Sequence, residues 1–217
     1  MDPQSDTTIS SNLEVNKCPS FLSIGGTEKQ HIDCALQDLK RDTGVDFGIS
    51  DLTPAYRETI TCPHLLPIMT ISPNRFITFM SAEPLEDEVV SFIESGEIKH
   101  DDLNTRVSKF RDDLGIEEDY IKRIMFFGPD DQVANFMVDE TRGNTMVPKA
   151  KKYFSEGFQR ATAEGPLIHE PMRACRFTLE DFQKPHLKED DQELIDTVKL
   201  AIHNITLLAS PVLVEPI

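Results

Sequence analysis

The sequence predicts a mixed α+β fold built around one main domain. Segments with helical spacing of apolar residues alternate along the chain with short segments rich in aromatic and β-branched residues. No stretch of sequence repeats, and no long linker divides the chain. With 217 residues, of which 39% are hydrophobic and 7% aromatic, the chain can bury one core, or one core with a small appendage.

The first quarter of the chain is predicted to hold one helix between irregular segments. Residues 1–20 are polar and aperiodic, so we expect a disordered tail there. Thr27 and Gln30 suit a capping box, and Gly44 can end the helix in the left-handed conformation. The apolar stripe of this helix consists of Ile32, Ala35, Leu36 and Leu39. Residues 51–61 are interpreted as a loop with a short extended segment.

The middle of the chain is predicted to contain strands on either side of two helices. Arg75–Met80 is a strand candidate because aromatic and β-branched residues dominate it. The stripes of the two helices are Leu85, Val89, Val90 and Ile93, then Leu103, Val107, Phe110 and Leu114. Ile121–Phe127 and Asn135–Glu140 are the next predicted strands, separated by Gly128-Pro129 because proline cannot donate to a sheet ladder.

The most regular helical pattern begins at Pro148 and ends at Gly165. Its apolar face consists of Ala150, Tyr153, Phe154, Gly157, Phe158 and Ala161. A glycine inside a helix costs about 1 kcal/mol relative to alanine, so Gly157 predicts a compensating close approach of this helix to the sheet. Met172–Phe182 alternates as a half-buried strand, and Gln192–Leu208 carries a last helix.

Charge is unevenly distributed along the chain. The formal net charge of −16 argues against a protein that binds nucleic acid over its whole surface. Between Arg142 and Arg176, however, seven basic residues outnumber three acidic ones, so this region is +4 and the remainder is −20. The basic residues on or near one face of the Pro148 helix are Lys149, Lys151, Lys152 and Arg160. Two interpretations of this face stay open, an RNA contact and an ordinary solvated surface.

Several functional classes find no support in the sequence. No G-x-x-x-x-G-K-[ST] loop is present, so we expect neither nucleotide binding nor GTP hydrolysis. No nucleophile, base and orienting residue recur at a catalytic spacing, and we expect no enzyme activity, cofactor or metal. The apolar runs are far shorter than the roughly 20 residues of a membrane span. Four cysteines without paired spacing, and an N-terminus unlike a signal peptide, predict a cytoplasmic protein with reduced thiols and no membrane contact.

Four segments carry a resemblance to a known family. They are Phe127–Asp130, Asn135–Asp139, Gly157–Leu167 and Met172–Phe177. In order, spacing and residue type they resemble the fourth domain of the elongation factor 2 and elongation factor G family of translational GTPases, in its eukaryotic or archaeal version. Upstream, Cys34–Leu39 and Ala55–Thr59 look like the end of the third domain of that family, and downstream Leu213–Ile217 looks like the segment before its fifth domain.

The resemblance implies a fold and a division of the chain. The fourth domain of the family resembles the second domain of ribosomal protein S5, with a four-stranded sheet packed on helices. We therefore expect a remnant of the third domain over residues 21–59 and a fourth-domain-like region over residues 60–217. The GTPase domain of the family lies outside the resemblance.

In the family, two loops at the tip of this domain enter the ribosomal decoding site. Ser72-Pro73-Asn74, followed by Arg75, resembles the first loop. The second loop of family members has a histidine followed by Arg-Gly-Gly-Gly-Gln, and the eukaryotic factor converts that histidine to diphthamide. Residues 183–193 of this chain are instead acidic and contain no glycine, so the modification motif is absent and His186 is interpreted as a surface residue.

The resemblance implies a translation-related, ribosome-associated protein that lacks the GTPase domain and the diphthamide loop. The residues expected to contact the ribosome or ribosomal RNA are Ser72, Pro73, Asn74, Arg75, Lys149, Lys151, Lys152 and Arg160. The alternative is a non-ribosomal protein-interaction module, or a degenerate paralogue related to the spliceosomal GTPase of the same family. The acidity of the chain favours that alternative, with a protein partner bound through an acidic surface.

Overall fold

The computed structural model describes residues 24–26, 29–51, 55–73, 75–96, 103–130, 133–183 and 192–215. The chain divides into two compact units, and the larger one is Tyr56–Glu215. The predicted tail over residues 1–20 lies outside the described residues, as do Asn74 and residues 184–191, which include His186.

The smaller unit contains one helix among its described residues, α1 (Lys29–Thr43). As predicted, Gly44 follows the helix in the left-handed conformation, with φ 65°, and its N–H donates to the carbonyl oxygen of Lys40 at 3.0 Å. The predicted capping residue Thr27 lies outside the described residues. No residue of α1 is buried, so its apolar stripe stays partly accessible.

The larger unit contains seven strands and five helices in the part of it that the structure describes. In chain order they are β1 (Arg57–Ile60), β2 (His64–Ile71), β3 (Ile77–Pro84), α2 (Asp87–Glu94), α3 (Leu103–Leu114), α4 (Glu118–Arg123), β4 (Ile124–Phe127), β5 (Asn135–Asp139), α5 (Val147–Ala163), β6 (Cys175–Gln183), α6 (Gln192–Leu208) and β7 (Pro211–Val214). The mixed α/β fold predicted from the sequence is confirmed.

The main sheet has five strands in the order β2–β3–β6–β5–β4, and β1 pairs with β7 in a separate two-stranded sheet. Only the β5–β6 pair of the main sheet is parallel, and α5 connects these two strands. The expectation of a four-stranded sheet is therefore wrong. The strand missing from the prediction is β2, which lies at the sheet edge, where Pro67 costs no ladder hydrogen bond.

The predicted strand Ile121–Phe127 is wrong over its first half, because α4 continues to Arg123 before β4 begins. Two features of the sequence favour this helix. Glu118 and Asp119 lie in its first turn, where acidic side chains complement the helix dipole. Glu118 also pairs with Lys122 one turn later, at 2.6 Å.

Two hydrophobic cores lie on opposite faces of the main sheet. Strand β5 shows the division, because Met137 belongs to one core and its neighbours Phe136 and Val138 belong to the other. The first core joins β3 and β6 to α5 and α6. The second joins β4 and β5 to α2, α3 and α4. We call the two faces of the sheet the α5–α6 face and the α2–α4 face.

Gly157 marks a close contact, but its partner is a helix and not the predicted sheet. A Cβ atom at Gly157 would lie 2.7 Å from the Cβ of Val198 and 2.8 Å from the carbonyl oxygen of Ile195, both on α6. The sequence indicates that a close neighbour is needed but does not identify it. The absence of a side chain allows α5 and α6 to pack at short distance over the sheet.

The strand β1 is bound tightly to two distant parts of the larger unit. It pairs with β7 from Arg57 opposite Val214 to Ile60 opposite Pro211. Glu58 of this strand is fully buried, and its carboxylate accepts hydrogen bonds from the loop after α5. The compact unit consequently begins at Tyr56, four residues before the predicted boundary at residue 60. The S5-like character of the fold and the assignment to third-domain and fourth-domain regions stay predictions.

Candidate RNA-binding surface

The predicted lysines project from the solvent side of α5. The helix buries Ala150, Tyr153, Phe154, Gly157, Phe158 and Ala161 against the first core, as the sequence pattern predicts. Helical geometry then directs the residues between them outward. Lys149, Lys151 and Lys152 are all exposed, and Arg160 is exposed two turns further along.

Each of two lysines lies over an aromatic ring. The ammonium nitrogen of Lys151 is 5.8 Å from the ring centroid of Phe126, and that of Lys152 is 5.9 Å from the centroid of Tyr153. Such contacts attract the cation to the ring face while leaving its N–H donors in water. The aliphatic stems are therefore held against the protein and the charges remain available to an anion.

Ion pairing separates the basic residues of the net-positive region into two groups. Arg160 pairs with Glu156 at 2.6 Å on the same helix, Arg173 with Glu94 at 2.6 Å, and Arg176 with Glu83. Within the described residues, no carboxylate lies within ion-pairing distance of Lys149, Lys151 or Lys152. The three lysines are thus the uncompensated positive charges of α5, whereas Arg160 is largely neutralised.

Arg173 illustrates the structural role of the paired group. Its guanidinium donates two hydrogen bonds to the carboxylate of Glu94, from Nε at 2.6 Å and from a terminal nitrogen at 2.7 Å. This fork raises the pKa of Arg173 above its ordinary value. Because Glu94 lies on α2 and Arg173 precedes β6, the pair stabilises the packing of α2, and we assign it no RNA contact.

The other predicted contact residues, Ser72, Pro73 and Arg75, lie at the turn between β2 and β3. Ser72 is buried, and its hydroxyl oxygen accepts the N–H of Phe76 at 3.0 Å. Its own N–H donates to the carbonyl oxygen of Phe76 at 2.9 Å, and its carbonyl oxygen accepts the N–H of Arg75 at 3.0 Å. Ser72 therefore shapes the turn. Pro73 and Arg75 are exposed, and Arg75 has a left-handed backbone with φ 65°.

Aromatic packing connects this turn to α5. Phe76 stacks on Phe182 of β6 with ring centroids 6.5 Å apart. Phe182 in turn meets Phe154 of α5 edge to face at 5.0 Å. Arg75 is adjacent to the first ring in sequence, and Lys151 lies one helical turn before the last. A chain of three packed rings thus links the two groups of predicted residues.

Arg142 and Asn144 lie in the segment between β5 and α5 and were not among the predicted site residues. Arg142 is exposed with φ 54° and lines a polar groove of about 310 Å³. Asn144 donates its side-chain N–H to the carbonyl oxygen of Phe182 at 2.6 Å and accepts the N–H of Met146 at 2.9 Å. The net-positive count between residues 142 and 176 already signalled Arg142. No feature of the sequence indicated that Asn144 connects the start of α5 to the end of β6.

Three of the five charged residues that line this groove, Glu83, Glu140 and Arg176, are ion-paired. Arg176 pairs with Glu83 and lies over the ring of Tyr120, 5.5 Å from its centroid. Burial raises the pKa of the Tyr120 hydroxyl, which has no hydrogen-bond partner among the described atoms. Arg123 pairs with Glu140 at 2.5 Å at the rim. This mixture of paired charges does not resemble a phosphate-binding cleft.

Across the described ranges, no helix combines the length and hydrophobicity needed to cross a membrane. The same residues contain no group of three or more histidine, cysteine or acidic side chains placed to hold a metal ion.

Comparison with known proteins gives two results. Residues 91–210 match the family model described as elongation factor G, domain IV. The chain is also 31% identical over 191 residues to elongation factor 2 of Encephalitozoon cuniculi, an alignment that covers 86% of this chain and 22% of the relative. The chain thus spans about a fifth of the length of that relative. The matched family region includes all of α5, so the three uncompensated lysines lie within it.

Proposed function

The chain belongs to the elongation factor G domain IV family, and from this membership we propose that it is a cytoplasmic, translation-related protein that associates with the ribosome. The contact in this proposal is to ribosomal RNA, through Lys149, Lys151 and Lys152 of α5, with Pro73 and Arg75 at the β2–β3 turn as a second point. Asn74, also expected at this contact, lies outside the described residues.

The uncompensated charge of the α5 lysines is the observation that carries this proposal. A cation already paired with a carboxylate must exchange that partner for a phosphate, whereas an unpaired lysine gains the whole attraction and releases a counterion. Arg160 belongs to the first kind because Glu156 holds it at 2.6 Å. We therefore give Arg160 a smaller part in RNA binding than the sequence pattern alone suggested.

The proposed role does not include GTP hydrolysis. The sequence contains no phosphate-binding loop, and similarity to part of a GTPase confers no catalytic activity by itself. A titration of the purified chain with GTP is expected to show no specific binding. Affinity in the micromolar range or better would contradict this part of the proposal.

Sedimentation with purified ribosomes at low and at high salt tests the association. The chain is expected to pellet with ribosomes at low salt and to be released as salt rises, because phosphate contacts depend on counterion release. Absence from the ribosomal pellet at low salt would refute the proposal. Association that is insensitive to salt would refute the lysine contact in particular.

A second candidate function is a protein-interaction module without a ribosomal role. The charge of −20 outside residues 142–176 favours it, because that charge repels RNA over most of the surface. Under this alternative the chain would be a degenerate relative of the family that retains the fold for another purpose. Failure to bind ribosomes, together with isolation of a stable protein complex of defined composition, would favour it over the first candidate.

A further inference from the structure

Among the described residues of the larger unit, helices cover only part of the α2–α4 face of the main sheet. Helices α2, α3 and α4 pack on β4 and β5 and form the second core there. The sheet continues through β6 and β3 to the edge strand β2. On this other half of the same face, large apolar side chains remain accessible to solvent. An antiparallel part of a sheet can leave one face in water, but that face then normally carries polar side chains, so large apolar side chains on it are unusual.

Strand register assembles these side chains into one patch. Met69 pairs with Phe79, and Ile71 pairs with Ile77, across the β2–β3 ladder. Phe79 precedes Met80, which belongs to the core on the α5–α6 face, so Phe79 and its partner Met69 point to the opposite face. Ile71 and Ile77 lie two residues away on the same side. We call Leu65, Met69, Ile71, Ile77 and Phe79 the β2–β3 patch.

The exposure of this patch is high for apolar side chains. Leu65 is 64% exposed, Met69 53% and Ile71 51%, and neither Ile77 nor Phe79 belongs to either core cluster. Strand β2 carries no lysine, arginine or acidic residue. Edge strands are usually protected by charged residues, so an uncharged edge with several exposed apolar side chains indicates a surface that another molecule covers.

Along β6 the border of the patch is acidic, while the polar groove beyond it also contains Arg142 and Arg176. Strand β6 lies next to β3, and Asp181 is the register partner of Phe79. Glu180, one residue earlier, lies with Leu65 in the polar groove. Glu180 accepts a hydrogen bond from the hydroxyl of Ser81 at 2.9 Å, and Asp181 accepts one from Gln183 at 2.7 Å. Among the described residues, neither carboxylate has a cationic partner within ion-pairing distance.

We propose that the β2–β3 patch binds an amphipathic helix of another protein that carries basic residues along one flank. A helix with its side chains is about 10–12 Å wide and strands are about 4.8 Å apart, so one helix covers β2 and β3. Its flank then lies above β6, where Glu180 and Asp181 can pair with lysine or arginine. The acidic border disfavours nucleic acid at the same place.

This surface is distinct from the lysine surface of α5. Helix α5 packs on the opposite face of the sheet, against the first core. The proposed helix site therefore does not depend on ribosome binding, and the two can be tested with separate variants. The β2–β3 patch is apolar and its edge along β6 is acidic. A complementary partner helix therefore has an apolar stripe and a basic flank.

The probe is a synthetic, fluorescently labelled peptide of about 18 residues, which forms five helical turns. It carries a leucine stripe, lysines along one flank and glutamines elsewhere. A second peptide has glutamates in place of the lysines. Anisotropy titrations with the full chain are expected to show saturable binding of the lysine peptide and at least about tenfold weaker binding of the glutamate peptide. No binding of the lysine peptide, or equal binding of both peptides, would overturn the proposal.

Variants locate the site. The double variant Met69→Ser, Ile71→Ser changes exposed side chains and should fold normally, with a loss of affinity of about tenfold or more. The double variant Glu180→Gln, Asp181→Asn should bind the lysine peptide more weakly, and the affinity that remains should depend less on salt. The matched control is Leu207→Ser, Leu208→Ser on α6, whose side chains are 51% and 56% exposed, and which should bind like the parent chain.

Two outcomes would contradict the location or the occupant. Equal losses in the α6 control and in the β2 variant would mean that the peptide binds apolar surface without selection. A concentration-dependent dimer in sedimentation equilibrium, abolished by Met69→Ser and Ile71→Ser, would show that a second copy of the chain covers the patch instead. Unfolding curves in urea, measured for every variant, verify that each retains the fold.

Discussion

Glu58 and Leu167 are joined by a hydrogen bond across 109 positions of the sequence. The backbone N–H of Leu167 donates to one carboxylate oxygen of Glu58 at 2.8 Å, and the N–H of Ile168 donates to the other at 2.9 Å. Glu170 adds a longer bond at 3.3 Å. A single fully buried acid thus holds the loop after α5 against β1.

Replacement of Glu58 by glutamine should destabilise the larger unit by about 3 kcal/mol. Glutamine keeps one acceptor oxygen but would direct its own N–H atoms at the remaining backbone donors, which would leave part of the N–H groups of Leu167, Ile168 and Glu170 without an acceptor. Urea unfolding measures the loss. The control Glu86→Gln changes an exposed acid that makes no side-chain cap hydrogen bond at the start of α2, and it should lower stability by less than about 1 kcal/mol, the size of a helix-dipole contribution. Equal stability of the Glu58 variant and the parent chain would contradict the role of this carboxylate.

Gly157→Ala should destabilise the protein by about 2 kcal/mol, although alanine is the better helix former. The new Cβ would overlap Val198 and the carbonyl oxygen of Ile195 on α6, and overpacking of this kind outweighs a propensity gain of about 1 kcal/mol. Thermal or urea unfolding gives the difference. In the double variant with Val198→Ala, the total loss should be somewhat smaller than the sum of the two single losses, because the contact with Val198 Cγ1 at 2.9 Å is removed while the contact with Val198 Cβ at 2.7 Å remains. A stabilised single variant would show that α5 and α6 can separate freely.

The sequence predicted the elements whose local pattern matches their packing. The stripe of α5 and the bounds of α6 follow from apolar spacing, because each helix buries one continuous face. Strand β2 did not follow, because most of its side chains are exposed and Pro67 interrupts its pattern. A partly exposed edge strand carries too weak an alternation to distinguish it from a loop.

The candidate site likewise contains residues whose position a local pattern predicts and residues whose position depends on distant contacts. Exposure of Lys149, Lys151 and Lys152 follows directly from the stripe of α5. The pairing of Arg173 with Glu94 does not, since it joins positions 79 residues apart. The burial of Glu58 is likewise a product of tertiary contacts, which a short local pattern does not record.

Cys175 should resist alkylation in the folded protein. Burial raises the pKa of its thiol to about 12, so almost no thiolate exists at pH 8, and the side chain is fully enclosed. Cys34 and Cys62 are exposed. Iodoacetamide labelling followed by peptide mass spectrometry should therefore modify Cys34 and Cys62 first and Cys175 only after denaturation. Rapid native labelling of Cys175 would contradict its burial.

Because of the Cys175 thiol, the free energy of unfolding should depend on pH in the alkaline range. The unfolded chain loses the proton of Cys175 near its ordinary pKa of 9.0, whereas the folded chain keeps it up to about 12. Because the unfolded state binds fewer protons in this interval, the free energy of unfolding should fall as pH rises from 9 towards 12. Urea unfolding between these limits should show a steeper decline for the parent chain than for Cys175→Ala. Identical slopes would show that the thiol contributes nothing to the pH dependence.

Charge reversal on α5 tests the proposed RNA contact most directly. The measurement is the affinity for ribosomes as a function of salt, for Lys151→Glu, Lys152→Glu and for a control with the same charge change, Lys122→Glu, Arg123→Glu on α4. The control residues already pair with Glu118 and Glu140. The α5 variant should bind more weakly, with a salt slope reduced by close to one logarithmic unit per lost contact, while the control keeps the parent slope. An α5 variant with undiminished affinity and slope would contradict the placement of the RNA contact on this helix.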